Sequence, residues 1–279
     1  MSGAVVVDRR GDGVVVLTID RPERRNALDS QTCVDLHVLF EDLDGDPELR
    51  VVVITGAGTA FSAGADLKAT PEDFTNSAAT PTAALLGAVR SDVARTFAAQ
   101  ELMASLFEKI HRLRQPVIAA VNGFALGGGF ALALACDIRI AATGATFGAV
   151  FIRHGVSACD MGTSYHLPRL VGASRAAELM LTGRVFDTRE AERIGLLHAV
   201  VDPADLLPTV LAKAAEIAAH APLAVWMTKE TMWQNVDAPS LRHALDLENR
   251  TQVMCTATGE LHRSFAAFRG DGTARWNPL

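Results

Sequence analysis

The sequence predicts an α/β fold that ends in a helical region, and three observations point that way. Apolar runs of strand length, at residues 14–19, 51–55, 117–121 and 138–142, alternate with segments of other pattern. The run 117–121 continues through Asn122-Gly123 into Gly127-Gly128-Gly129 and a second apolar run, 130–135. That is the pattern of a buried strand, a turn, a close-approach loop and the start of a buried helix. From Pro203 onward the pattern is almost entirely helical, with breaks near Pro222 and Pro239.

Residues 5–7 and 14–19 flank Arg9-Arg10-Gly11-Asp12-Gly13 and read as a hairpin with Asp-Gly at its tip. A loop with three arginines in five residues, Arg21 to Arg25, precedes a helix expected over about 30–43. The strand 51–55 exits into small residues, Ser62, Ala63, Gly64 and Ala65. Residues 70–99 are the least periodic stretch, with Pro71 and Pro81, as expected of a long loop or lid. Leu102, Leu106, Ile110 and Leu113 then set a helix over 100–114. Strands are expected at 138–142 and 145–152, a short helix at 174–183 with a Ser cap and a Gly stop, and another opened by Asp187-Thr188-Arg189-Glu190. Trp226, Met227, Met232 and Trp233 form a stripe expected in core or subunit interface.

With 279 residues, 49% hydrophobic, the chain has ample core for one large or two small domains. A net charge of −6 argues against nucleic acid as the main partner. No apolar run reaches membrane length and no signal-peptide pattern opens the chain, so the expectation is a cytoplasmic protein without a membrane partner. Cys33, Cys136, Cys159 and Cys255 stand far apart without a CxxC pair, which fits reduced thiols. No His, Cys or Asp cluster has metal-ligand spacing, and no GxSxG elbow supports Ser62 as a nucleophile.

The chemistry is carried by the triple glycine. It strips side chains from a helix start, where orphan N–H groups and the helix dipole favour negative charge. A phosphate or a developing oxyanion would suit such a site. The Lys that follows a phosphate loop is absent and the spacing fails GxGxxG, so the phosphate reading is weak. Two small-residue turns, each presenting one N–H, read as the halves of an oxyanion hole.

The segments RPERRNAL, AFSAGADLK, VNGFALGGGFALALACDIRIA and ATFG followed by LPRLVG, in this order, resemble the enoyl-CoA hydratase/isomerase (crotonase) family. The resemblance spans about residues 5 to 200. It implies a spiral of ββα repeats over residues 1–200 that binds acyl-CoA, a C-terminal helical oligomerisation region over 201–279, and a homotrimer or homohexamer. The ligand it implies is an acyl-CoA thioester, with coenzyme A as part of the substrate and no separate cofactor. It assigns the oxyanion hole to the backbone N–H groups of Ala65 and Gly128. Around the thioester and its carrier it places Arg25, Ala27, Ala63, Asp66, Leu67, Lys68, Phe124, Gly127, Ala131 and Phe151.

Two of those positions depart from the family. Its hydratases carry catalytic glutamates where this chain has Ala131 and Phe151. A methyl and a phenyl group can neither deprotonate water nor protonate carbon, so ordinary hydration is not expected. Asp160, counted back from LPRLVG, matches an Asp that isomerase branches use to move a proton along the acyl chain, and His154 is a second candidate acid/base. The bland alternatives are that Asp160 caps the following helix and that His154 is merely exposed. Double-bond isomerisation through Asp160 is the favoured reading. Hydration by atypical groups and a non-catalytic acyl-CoA binding subunit are the alternatives.

Overall fold

The computed structural model describes residues 3–69, 84, 88–270 and 276–279. Its strands form two sheets. The larger, of six strands, runs in the order β1 (Val5–Arg9), β2 (Val14–Ile19), β3 (Val51–Gly56), β5 (Val117–Val121), β7 (Ile138–Ala142) and β10 (Ala199–Val201). The smaller runs β4 (Ala60–Ser62), β6 (Phe124–Leu126), β8 (Thr146–Gly148) and β9 (Phe186–Asp187). After the antiparallel β1–β2 hairpin, every pairing within the larger sheet is parallel. Each turn of chain therefore lays one strand in the large sheet and the next in the small one, twice followed by a helix. The result is a spiral of ββα units, as expected.

The strand sequences explain why the large sheet sits in the middle. Val117–Val121 is buried at every residue, the signature of a parallel strand covered on both faces. Alternation divides it: Val52, Ile54, Val117, Ala119 and Val121 face one core with Phe130, Phe147 and Leu106. Val51, Val53, Ile118 and Ala120 face another, closed by Leu206, Val210 and Ala214 of α7 (Leu206–Ala218).

The helices begin at readable caps. α1 (Ser30–Asp44) starts where Asp29 accepts from Thr32 N, and α6 (Thr188–Arg193) where Asp187 accepts from Glu190 N. Helix α2 (Asp92–Arg112) begins eight residues before the expected 100, capped by Ser91. The expected long loop over 70–99 falls largely outside the described residues. The expected strand 145–152 is shorter: the ladder stops at Gly148 and residues Val150–His154 wind into a 3-10 turn. Helix α5 (Ala173–Thr182) is entered from Gly172 at φ +83° rather than from a Ser cap, and ends on left-handed Gly183. Helices α3 (Gly128–Ala135), α4 (Thr163–Val171), α8 (Pro222–Val236), α9 (Leu241–Ala257) and α10 (Glu260–Arg269) complete the fold. Among the described residues no single helix is long and apolar enough to cross a membrane, and a bent pair, 203–218 with 222–236, turns by 104° at its break.

All four cysteines are free. Burial pushes the Cys33 and Cys136 thiols up to about 12, which keeps both protonated and unreactive.

Candidate active site

The two small-residue turns converge. A methyl group built on Gly64 would lie 2.7 Å from Gly128 N and 2.7 Å from Leu126 O, and one on Gly128 would lie 3.5 Å from Ala65 N. Only a glycine at position 64 allows this approach, and Gly64 also sits at φ +91°, where a side chain is strained.

Local bonding accounts for how the N–H groups of Ala65 and Gly128 are presented. Leu28 and Ala65 form a parallel bridge in which Leu28 N donates to Gly64 O at 2.7 Å and Asp66 N donates to Leu28 O at 2.9 Å. That pairing uses the groups on either side of Ala65 and leaves its own N–H pointing away from the bridge. Gly128 opens α3 behind Gly127, so its N–H is an orphan of the first helical turn; the first helical bond there is Ala131 N to Gly127 O at 3.0 Å.

The arginine loop holds this segment in place. Ala63 N donates to Arg25 O at 3.0 Å, and Ser62 Oγ donates to Asn26 O at 2.8 Å. Arg25 and Asn26 both lie in the left-handed region, at φ 54° and 56°. Asn26, fully buried, donates from Nδ2 to Ala57 O and Ala60 O, while its Oδ1 accepts from Arg21 N. Arg21 ties the loop to both sides by pairing with Asp29 at 2.8 Å and Asp66 at 3.1 Å. Asp66 also accepts from Lys68 N at 3.0 Å. Its carboxylate is thus engaged in holding the turn, while Arg25, Leu67 and Lys68 are exposed along the rim.

The side chains packed against Gly127 and Gly128 are apolar. Ala131 is fully buried on α3, and Phe151 is buried with its ring edge 3.8 Å from where a methyl on Gly127 would lie. Met161, buried and held at φ 48°, brings its sulfur to 3.1 Å from the corresponding point on Gly128. Sequence reading passed over Met161, because neither its left-handed backbone nor its contact leaves a local signal.

Asp160 precedes Met161 and is half-buried. Its Oδ1 accepts from Met161 N at 2.7 Å and from Gln100 Nε2 of α2. The residue contributes to the start of α4 through its backbone carbonyl, which accepts from Thr163 N at 2.8 Å, and the position before that helix is Gly162, without a side-chain cap. The carboxylate is therefore free of the capping role.

The remaining expected residues are His154, Phe124 and Ala27. His154 ends the 3-10 turn, exposed, and its side chain makes no hydrogen bond or ion pair among the described residues. Phe124 is 40% exposed at the opposite end of β6 from Gly127. Ala27 is buried in the arginine loop. Among the described residues no group of three or more His, Cys, Asp or Glu is placed to hold a metal ion.

A family model described as enoyl-CoA hydratase/isomerase matches residues 9–91 and 84–278. The probable enoyl-CoA hydratase EchA12 of Mycobacterium tuberculosis (strain ATCC 25618 / H37Rv) is 40% identical over 251 residues, covering 89% of this chain and 84% of that protein. The short-chain-enoyl-CoA hydratase of Clostridium acetobutylicum is 34% identical, covering 95% and 94%. A crystal structure of a probable enoyl-CoA hydratase/isomerase from Mycobacterium abscessus matches with a TM-score of 0.87 at 36% identity, covering 98% of each chain. That of a monofunctional enoyl CoA isomerase from M. smegmatis matches with a TM-score of 0.70 at 40% identity, covering 87% of this chain and 98% of that one.

Proposed function

The chain belongs to the enoyl-CoA hydratase/isomerase family of acyl-CoA enzymes, and from that premise we propose that it moves a double bond along an enoyl-CoA, with Asp160 as the proton carrier. The observation that supports this most is one of composition at a defined place. The backbone of Ala65 and Gly128 converges as an oxyanion hole would, and Asp160 is joined to it through Met161, whose sulfur lies 3.1 Å from where a methyl on Gly128 would stand. The two positions at which hydratases carry glutamate are the buried apolar Ala131 and Phe151.

In this reading the thioester oxygen accepts from Ala65 N–H and Gly128 N–H. The ionised Asp160 takes a proton from the α-carbon of a 3-enoyl thioester, and the electron pair passes into the thioester to give a dienolate. Each hole donor contributes about 2.7–4 kcal/mol to stabilising that charge. The protonated Asp160 then returns the proton to the γ-carbon, which leaves a 2-enoyl thioester. Arg25 and Lys68, exposed on the rim, supply cationic contacts to the carrier's phosphates. The C-terminal helices, from 201 on, join copies of the chain into a homotrimer or homohexamer: α9 and α10 contain no buried residue, and Val253, Met254, Phe265 and Phe268 are exposed on them.

A second reading, hydration by atypical groups, draws support from the names of relatives, several of which are called hydratases. Incubating the protein and Asp160→Asn in heavy water with 2-enoyl-, 3-enoyl- and dienoyl-CoA thioesters, followed by mass spectrometry, separates the two. Deuterium uptake without a gain of water, lost in Asp160→Asn, is the expected result. Gain of a full water would install the hydratase reading in its place, and binding of every thioester without any exchange would mean a non-catalytic subunit.

A further inference from the structure

We propose that Gln100 is a positioning residue that sets the orientation of the Asp160 carboxylate; this rests on the reading of Asp160 as the proton carrier. Gln100 lies on the exposed face of α2, 60 residues from Asp160 in sequence, yet its amide Nε2 donates to Asp160 Oδ1. The same oxygen accepts from Met161 N at 2.7 Å. Two donors from separate elements thus converge on Oδ1, while Oδ2 has no partner among the described residues.

Fixing Oδ1 from two directions fixes the carboxylate plane, and it leaves Oδ2 as the oxygen available to a substrate proton. The Met161 donor is built into the backbone. The Gln100 donor is a side chain on a helix that reaches the site from outside, and it is the part a single substitution can remove.

Gln100 is exposed, so its replacement leaves the core untouched. Gln100→Met keeps length and loses the donor. Losing that donor frees the carboxylate to rotate, so kcat for α-proton exchange falls by roughly tenfold while KM for the thioester stays unchanged. That split in Gln100→Met is the expected outcome. An unchanged kcat, or a loss carried by KM alone, overturns the assignment of Gln100, even where Asp160→Asn abolishes exchange. Full exchange by Asp160→Asn overturns instead the reading beneath it, whatever Gln100→Met gives.

Discussion

Gly64 and Gly155 both lie at positive φ, +91° and +78°, but their surroundings differ completely. A methyl on Gly155 meets nothing within 4 Å, whereas on Gly64 it falls 2.7 Å from Gly128 N and from Leu126 O. Gly155→Ala should therefore cost only the backbone strain, about 1 kcal/mol, and leave exchange unchanged. Gly64→Ala must also push the two halves of the hole apart. Roughly 3 kcal/mol of stability and at least a hundredfold in turnover at saturating thioester are the expected losses, read by denaturant unfolding and by the exchange assay. Equal effects from the two substitutions would show that strain, and not the close approach, matters at Gly64. The triple glycine was readable as a helix start without side chains; what sequence does not carry is that Gly64 is the partner it approaches.

At the scale of elements, the loop from Arg21 to Leu28 acts on the site through its backbone. Asn26→Ala removes the acceptor for Arg21 N and the donors to Ala57 O and Ala60 O, and puts alanine at φ 56°. A loss of about 3 kcal/mol is expected by chemical denaturation. Because Ala63 and Ser62 hang from the same loop, weaker thioester binding should accompany it, measurable by calorimetry on the folded variant. This is where the sequence was only half legible. RPERRNAL stood out as a motif, with Arg25 expected at the ligand, but nothing in it singled out the buried Asn26 or the Arg21 pairs to Asp29 and Asp66 that do the holding. Helix α2 shows the same limit. Its periodic leucines mark only the buried turns, and Val93 and Phe97, 82% and 69% exposed, gave its first turns no apolar stripe to read. For residues 145–152 the apolar character was correct, and the strand conformation holds only as far as Gly148. β8 has only the three residues of β6 to pair with, so Val150 and Phe151 leave the ladder and turn toward Gly127.

At the scale of the whole molecule, the C-terminal helices are tied to the core by a buried cluster. Lys229 of α8 pairs with Asp137 at 2.8 Å, Trp233 Nε1 donates to the same carboxylate, and the His111 ring lies edge-on to Trp233 and to His166. Burial first, then the His111, Arg139 and Arg169 charges, push His166 down from near 6.5 to about 4, and burial lowers His111 as well. The unfolded chain binds these protons first, so the stability of the neutral pair is complete above about pH 6.5 and is lost as pH falls toward 4. For His166 that loss is roughly 3 kcal/mol, and the fall in Tm over this range should be shallower in His166→Phe. Past this junction the described residues form no core of their own: no residue of α9 or α10 is buried, and Val253, Met254, Phe265 and Phe268 are between 51% and 87% exposed. An apolar surface of that kind on two consecutive helices calls for a partner, and a second and third copy of the same chain can supply it through one repeated interface. The mass of the protein by light scattering should be a multiple of three chains. Replacing Val253 and Met254 with aspartate, on a helix with no buried position, should leave the protomer folded by circular dichroism and reduce that mass to a single chain. A wild-type monomer at micromolar concentration would defeat the idea, since these helices would then be stable while facing water.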